Sequence, residues 1–293
     1  MSILLLDRRD RLGCNFLNKL CLFISAKKNN YDVYHEKNFK YYDNIFMIPF
    51  IKFSIELDKN IMNEIKFINK KSDIHHLCIN TVNAIKQDIP SYFEENLKES
   101  FFSLINNKFC EYNFKKPWED NKVICIHLRC DDVYNYEGRN TNKHFDYISD
   151  IINKGVEIEV NKFRNKMRND YGFSYQSCLS ILELKNLVDN LRKTYSNYEI
   201  YVIYKNPIRE EYLEFFKKHN LKTIKPISKD PNINMNYDLF LLIHSDILVI
   251  TKSIYGLLAS FFHQGSKTYY PRWCYFGAIG LGSKYNKSKY IIY

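Results

Sequence analysis

The stretch Val123-Ile124-Cys125-Ile126-His127-Leu128-Arg129-Cys130-Asp131-Asp132 decides the fold class of this chain. Its first four residues are apolar without a break. They read as a strand buried on both faces, the kind a parallel sheet carries. The run then opens into His127, Arg129, Asp131 and Asp132. In open α/β sheets, ligands sit beyond the carboxyl ends of the strands. A guanidinium delivered there can hold a phosphate through two parallel N–H bonds. The spacing fits equally well a buried strand that ends in a solvated, charged turn.

On the amino-terminal side, Ser2 to Leu6 reads as a strand and Asp7 to Asn15 as a polar loop containing Gly13. From Phe16, the residues Leu17, Leu20, Cys21 and Ile24 recur at helical spacing until Asn29-Asn30. Strand, glycine loop and helix make the first unit of a Rossmann-like half. A Gly-x-Gly-x-x-Gly fingerprint is absent. In this reading Gly13 permits a tight turn and Asn15 caps the helix. Residues 31 to 118 are less periodic. Ile45 to Ile51 is apolar but broken by Pro49, and Met62 to Ile68 and Tyr92 to Leu104 have helical character. The turn-rich Pro117-Trp118-Glu119-Asp120-Asn121 divides an expected domain 1–118 from a second, 119–293.

Beyond Asp132, residues Tyr134 to Phe145 form a polar insertion, and a helix is expected within Tyr147 to Arg168. Ser174 to Tyr195 reads as a helix with Cys178, Leu179, Leu182, Leu187 and Leu191 on its apolar face. A strand follows at Glu199 to Tyr204, a helix from Pro207 to Asn220, and a short strand at Leu221 to Ile224. Alternating strands and helices predict an α/β fold with a parallel sheet.

The carboxyl-terminal third offers a second cluster. Tyr237-Asp238-Leu239-Phe240-Leu241-Leu242 reads as a helix start, and Asp246 precedes the strand Ile247 to Ile250. Thr251-Lys252-Ser253 then leads into a helix over Ile254 to Phe262. A strand, a hydroxyl-bearing turn and a helix amino terminus make an anion site, because unpaired N–H groups and the helix dipole face it. Ser253 or Thr251 could cap that helix or donate to a phosphate. A capped, buried helix without a ligand fits the same residues. Gly277 to Lys284 imitates a phosphate loop, but it ends Gly-Ser-Lys instead of Gly-Lys-Ser/Thr and follows no hydrophobic strand.

The composition is globular: 45% hydrophobic and 26% charged over 293 residues. The abundance of Tyr, Phe, Lys, Asn and Ile suits an AT-rich genome such as that of a virus, a protist or an AT-rich bacterium. A formal charge of +10 favours an anionic partner, although lysine bias gives the same number. The lysines form no long run and no nucleic-acid motif is present, so nucleic acid is not an expected partner. The eight cysteines include no Cys-x-x-Cys pair, and His75-His76 point in different directions on any regular element, so no metal is expected. No apolar run reaches the length of a membrane span, and the expectation is a soluble, cytoplasmic protein in a reducing compartment.

Three segments resemble one family. His127, Arg129 and Asp132 match the His-Val-Arg-Arg-Gly-Asp signature of the α1,2-, α1,6- and protein-O-fucosyltransferase superfamily, with Cys130 where a second arginine is common. Arg11-Leu12-Gly13-Cys14-Asn15 resembles its amino-terminal Arg-Leu-Gly-Asn loop, with Cys14 as an extra residue. Ser253 stands at the serine of its last motif, where Ile254 and Tyr255 replace a hydroxyl residue and phenylalanine. The resemblance implies a GT-B fold, two Rossmann-like domains facing across a cleft. It implies an inverting, metal-independent transfer of fucose from GDP-fucose to a glycan hydroxyl, with no further cofactor. It places Gly13, Asn15, His127, Arg129, Asp238, Thr251 and Ser253 on the donor. Arg129 would stabilise the leaving GDP. Glu137, and after it Asp132, would be the base that takes the acceptor proton. Two other readings stay open: a GT-B transferase for another nucleotide-sugar, and a non-catalytic basic or glycan-binding protein.

Overall fold

The computed structural model describes residues 2–5, 12–35, 44–52, 55–56, 89–118, 120–130, 178–271 and 290–293. The expected features at Met62 to Ile68, His75-His76, Tyr134 to Arg168 and Gly277 to Lys284 lie outside these residues. The chain divides into two compact units, Met1–Phe114 and Lys115–Tyr293.

In the first unit, β1 (Ser2–Leu5), β2 (Asp32–His35) and β3 (Ile55–Glu56) form a parallel sheet in that order. Its helices are α1 (Leu12–Lys28), α2 (Ile48–Lys52), α3 (Ile89–Asn96) and α4 (Lys98–Glu111). The core is a phenylalanine cluster. Phe50 meets Phe16 at 5.3 Å and Phe101 at 5.6 Å, and Phe101 meets Phe23 and Phe93 at 5.9 Å each. All four contacts are edge-on, which sets the positive edge of one ring against the negative face of the next. Helix α1 differs from expectation: it begins at Leu12, so Gly13 and Asn15 lie in its first turn and not in a loop. Burial explains this. Leu12, Asn15 and Phe16 are all sequestered, which extends the packed face a turn earlier than the apolar periodicity does. The helical run from Tyr92 is two helices, α3 and α4, meeting at Leu97.

The second unit is a six-stranded, wholly parallel sheet. Its strands are β4 (Val123–Leu128), β5 (Glu199–Tyr204), β6 (Lys222–Thr223), β7 (Ile247–Ile250), β8 (Lys267–Tyr270) and β9 (Tyr290–Ile292). The order is β6-β5-β4-β7-β8-β9. The chain moves outward from β4 in one direction, then returns to place β7 on the other side of β4. This is the doubly wound order, and the reversal between β4 and β7 is its topological switch point. Every residue of β4 and β7 is buried. That explains why both read as unbroken apolar runs and not as alternating strands.

The helices are α5 (Ile181–Thr194), α6 (Glu210–Lys218), α7 (Pro231–Ile243) and α8 (Ile254–Phe262). Helix α5 starts late because Ser180 and Glu183 close a capping box there. Leu182 is 67% exposed, and the packed face is Leu184, Leu187, Val188 and Leu191. Helix α7 starts earlier than expected, at the cap Asp230 with Pro231 in the first turn, so Asp238 lies well inside it. Pro207 precedes α6 and takes no part in it. Among the described residues, no helix is long and apolar enough to cross a membrane.

Candidate anion site at the switch point

The β4 ladder carries His127 opposite Ile250, where β7 ends, and β4 ends one residue further on, at Leu128. The chain leaving β7 is then stitched to the chain leaving β4. Thr251 N–H donates to His127 O at 3.2 Å, and Arg129 N–H donates to Thr251 Oγ1 at 2.9 Å. The Arg129 guanidinium donates through Nη1 to Lys252 O at 3.4 Å. Thr251 therefore does not cap the helix; its hydroxyl is engaged with the β4 extension. Ser253 is the cap, with its hydroxyl accepting from Gly256 N–H at 3.5 Å. The result is a guanidinium, a hydroxyl and the amino terminus of α8 gathered at one end of two adjacent strands. A helix start favours anions because its first N–H groups lack intrahelical acceptors and its dipole is positive there.

His127 backs this turn. It is 8% exposed, and its Nδ1 is buried with no hydrogen-bond partner among the described residues. Burial, reinforced by the Arg129 charge, pulls its pKa down to about 3, so the ring is neutral at physiological pH. Gly256 makes room for it: a Cβ there would lie 3.0 Å from His127 Nδ1 and 3.0 Å from Ile250 Cβ. The ring of Tyr255 packs on the imidazole at 5.2 Å between centroids, and its hydroxyl donates to Met235 O at 2.6 Å in α7. Asp238, one turn further along α7, raises the Tyr255 pKa through its charge, after the larger effect of burial. Burial lifts Asp238 itself to about 7.

The structure brings together His127, Arg129, Thr251 and Ser253; Asp238 lies in α7, whose Met235 carbonyl accepts from the Tyr255 hydroxyl. Gly13 and Asn15 belong to the first unit, in α1, where Asn15 is wholly buried. Asp132 and Glu137 lie outside the described residues. Sequence reasoning missed Gly256 and Lys252. A lone glycine inside an apolar helical run is the signal that could have found Gly256, since such a residue marks close packing. Among the described residues there is no cluster of three or more His, Cys, Asp or Glu that could hold a metal ion.

No family model matches the chain. No curated protein matches it either. Among solved structures it is similar to the apo form of POFUT1, with 11% sequence identity and a TM-score of 0.42, over 92% of this chain and 97% of that one. A likeness of that size establishes neither a shared fold nor a shared activity. The chain is a mixed α/β protein whose larger unit is a doubly wound parallel sheet, with Arg129 hydrogen-bonded to Thr251 and Lys252 at its switch point.

Proposed function

We propose that the chain is an inverting, metal-independent glycosyltransferase of the GT-B type that moves fucose from GDP-fucose to a glycan hydroxyl. The supporting observation is the joining of Arg129 to the Thr251–Ser253 turn across the β4–β7 switch point. Ligands of doubly wound sheets bind at such a point, outside the carboxyl ends of the strands. The three segments that resemble the fucosyltransferase motifs include both halves of this arrangement, and the charge of +10 suits an anionic donor.

In this reading Arg129 binds the donor β-phosphate and stabilises the charge that grows on departing GDP. Ser253 and the α8 amino terminus hold the diphosphate. His127, being neutral, lines the donor site without adding charge, and Asp238 offers a carboxylate to the nucleotide. The acceptor hydroxyl gives its proton to Glu137, or failing that to Asp132, as it attacks the anomeric carbon from the face opposite the phosphate.

A thermal-shift screen of the full chain against GDP, UDP, ADP and their sugars tests the proposal, because a ligand stabilises by mass action. The expected result is a shift with guanine nucleotides and slow release of free fucose from GDP-fucose. A shift with UDP or ADP alone would assign a different donor. Binding without hydrolysis or transfer would make the protein a binder, and no shift with any nucleotide would overturn the donor reading.

A further inference from the structure

Lys252 is the middle residue of the turn, between Thr251 and Ser253, and is 3% exposed. Its backbone carbonyl accepts from Arg129 Nη1 at 3.4 Å. Its ammonium lies 4.0 Å from Glu183 Oε1 in the first turn of α5. The other oxygen of Glu183 is committed to the α5 cap, accepting from Ser180 N–H at 2.7 Å and Ser180 Oγ–H at 2.9 Å. One residue therefore ties the Arg129 guanidinium to a different helix. Burying an ammonium costs desolvation, and the positive end of the α5 dipole repels a cation. Burial accordingly pushes the Lys252 pKa down, against the pull of Glu183.

We propose that Lys252 is a positioning residue of the anion turn: its ammonium, held by Glu183, fixes the carbonyl that steers Arg129 and adds positive potential to the site. The electrostatic part rests on the donor reading above; the steering of Arg129 does not. The test uses the full chain and the variants Lys252→Met, Lys252→Arg and Glu183→Gln. Nitrogen-15 spectra of the arginine side chains report Arg129, whose signal is identified by its loss in Arg129→Lys. Calorimetry reports GDP affinity, and melting reports stability.

In Lys252→Met the Arg129 signal should shift from its wild-type position. GDP affinity should fall about tenfold while the melting temperature holds or rises. Lys252→Arg should restore both signal and affinity. Glu183→Gln, which keeps the α5 cap, should move the same signal to a lesser degree, and it carries the test if Lys252→Met does not fold. An unmoved Arg129 signal, or a lower melting temperature with unchanged GDP affinity, would overturn the proposal. If the wild-type chain ignores GDP, the donor reading fails while the arginine signal still decides whether Lys252 steers Arg129.

Discussion

Helix α8 has a buried histidine at each end. At its carboxyl end, His263 Nε2 donates to Ser245 O at 2.9 Å and Nδ1 accepts from the Thr268 hydroxyl at 2.9 Å. At its amino end, His127 is also buried, though 8% exposed, yet its Nδ1 has no partner among the described residues. Ser245 and Asp246 complete the first end further: the Asp246 carboxylate accepts from Val123 N–H at 2.8 Å, pinning the start of β4. Buried polar groups are nearly always satisfied, so an incomplete one calls for an explanation. At the carboxyl end the histidine is matched internally and holds the sheet; at the amino end the matching of His127 Nδ1 stops beside Gly256, among the described residues.

The sharpest challenge to that contrast is Arg129→Ala. If the amino end is the active end, turnover should fall a hundredfold or more, and Arg129→Lys should not rescue it, because lysine lacks the planar fork. Steady-state kinetics with GDP-fucose would show this, and near-wild-type turnover would remove Arg129 from the reaction. Next in size is the pair of histidines. His263→Leu leaves a buried hydroxyl and a buried carbonyl unpaired, and should cost about 2–3 kcal/mol in denaturant unfolding. His127→Leu should cost less than about 1 kcal/mol there and show its effect in donor affinity instead. Equal losses of stability from the two would erase the difference between the ends.

Asp238 gives a pH test. Its folded pKa of about 7 lies above the ordinary value of 3.8. Its contribution to stability is therefore fully present below 3.8 and is lost as pH rises through about 7. Donor affinity should run the other way if the carboxylate contacts the nucleotide. Only about a tenth of Asp238 is ionised at pH 6, so affinity should drop roughly tenfold between pH 8 and pH 6. Asp238→Asn should flatten both slopes; two slopes that survive it would place the titration elsewhere. The smallest effect belongs to Ser253→Ala, which loses a helix cap worth about 1 kcal/mol. It should also raise the donor KM more than the acceptor KM. A change in melting temperature alone would make Ser253 a cap and nothing more.

The second unit was largely legible in the sequence because its strands β4 and β7 are buried on both faces, and such strands leave continuous apolar runs. The turn Thr251–Ser253 and helix α8 followed from a hydroxyl cap ahead of an apolar segment. Helix starts were harder. Asp230 and Pro231 begin α7 six residues before Tyr237, in a stretch whose Asn residues hide the apolar period. In α1, the polar Asn15 is buried and packs with the core, so polarity suggested a loop where packing made a helix. Lys252 was invisible for a related reason. A lysine in a turn reads as solvated, whereas here it is buried, with Glu183 of α5 4.0 Å from its ammonium.

The strand order has a consequence for how the protein is made. Arg129 and Thr251 touch across 122 positions of sequence, and Val123 and Asp246 across 123. Closing a loop of that length costs about 4 kcal/mol of chain entropy on logarithmic scaling. Contacts so distant in sequence form late and slow the folding of the chains that depend on them. On a ribosome, β4, β5 and β6 can emerge and pair while Arg129 still lacks its turn. A nascent chain that ends before Ser253 carries Arg129 without the complete turn it bonds to, so that arrangement arrives in one step, after β7 inserts beside β4.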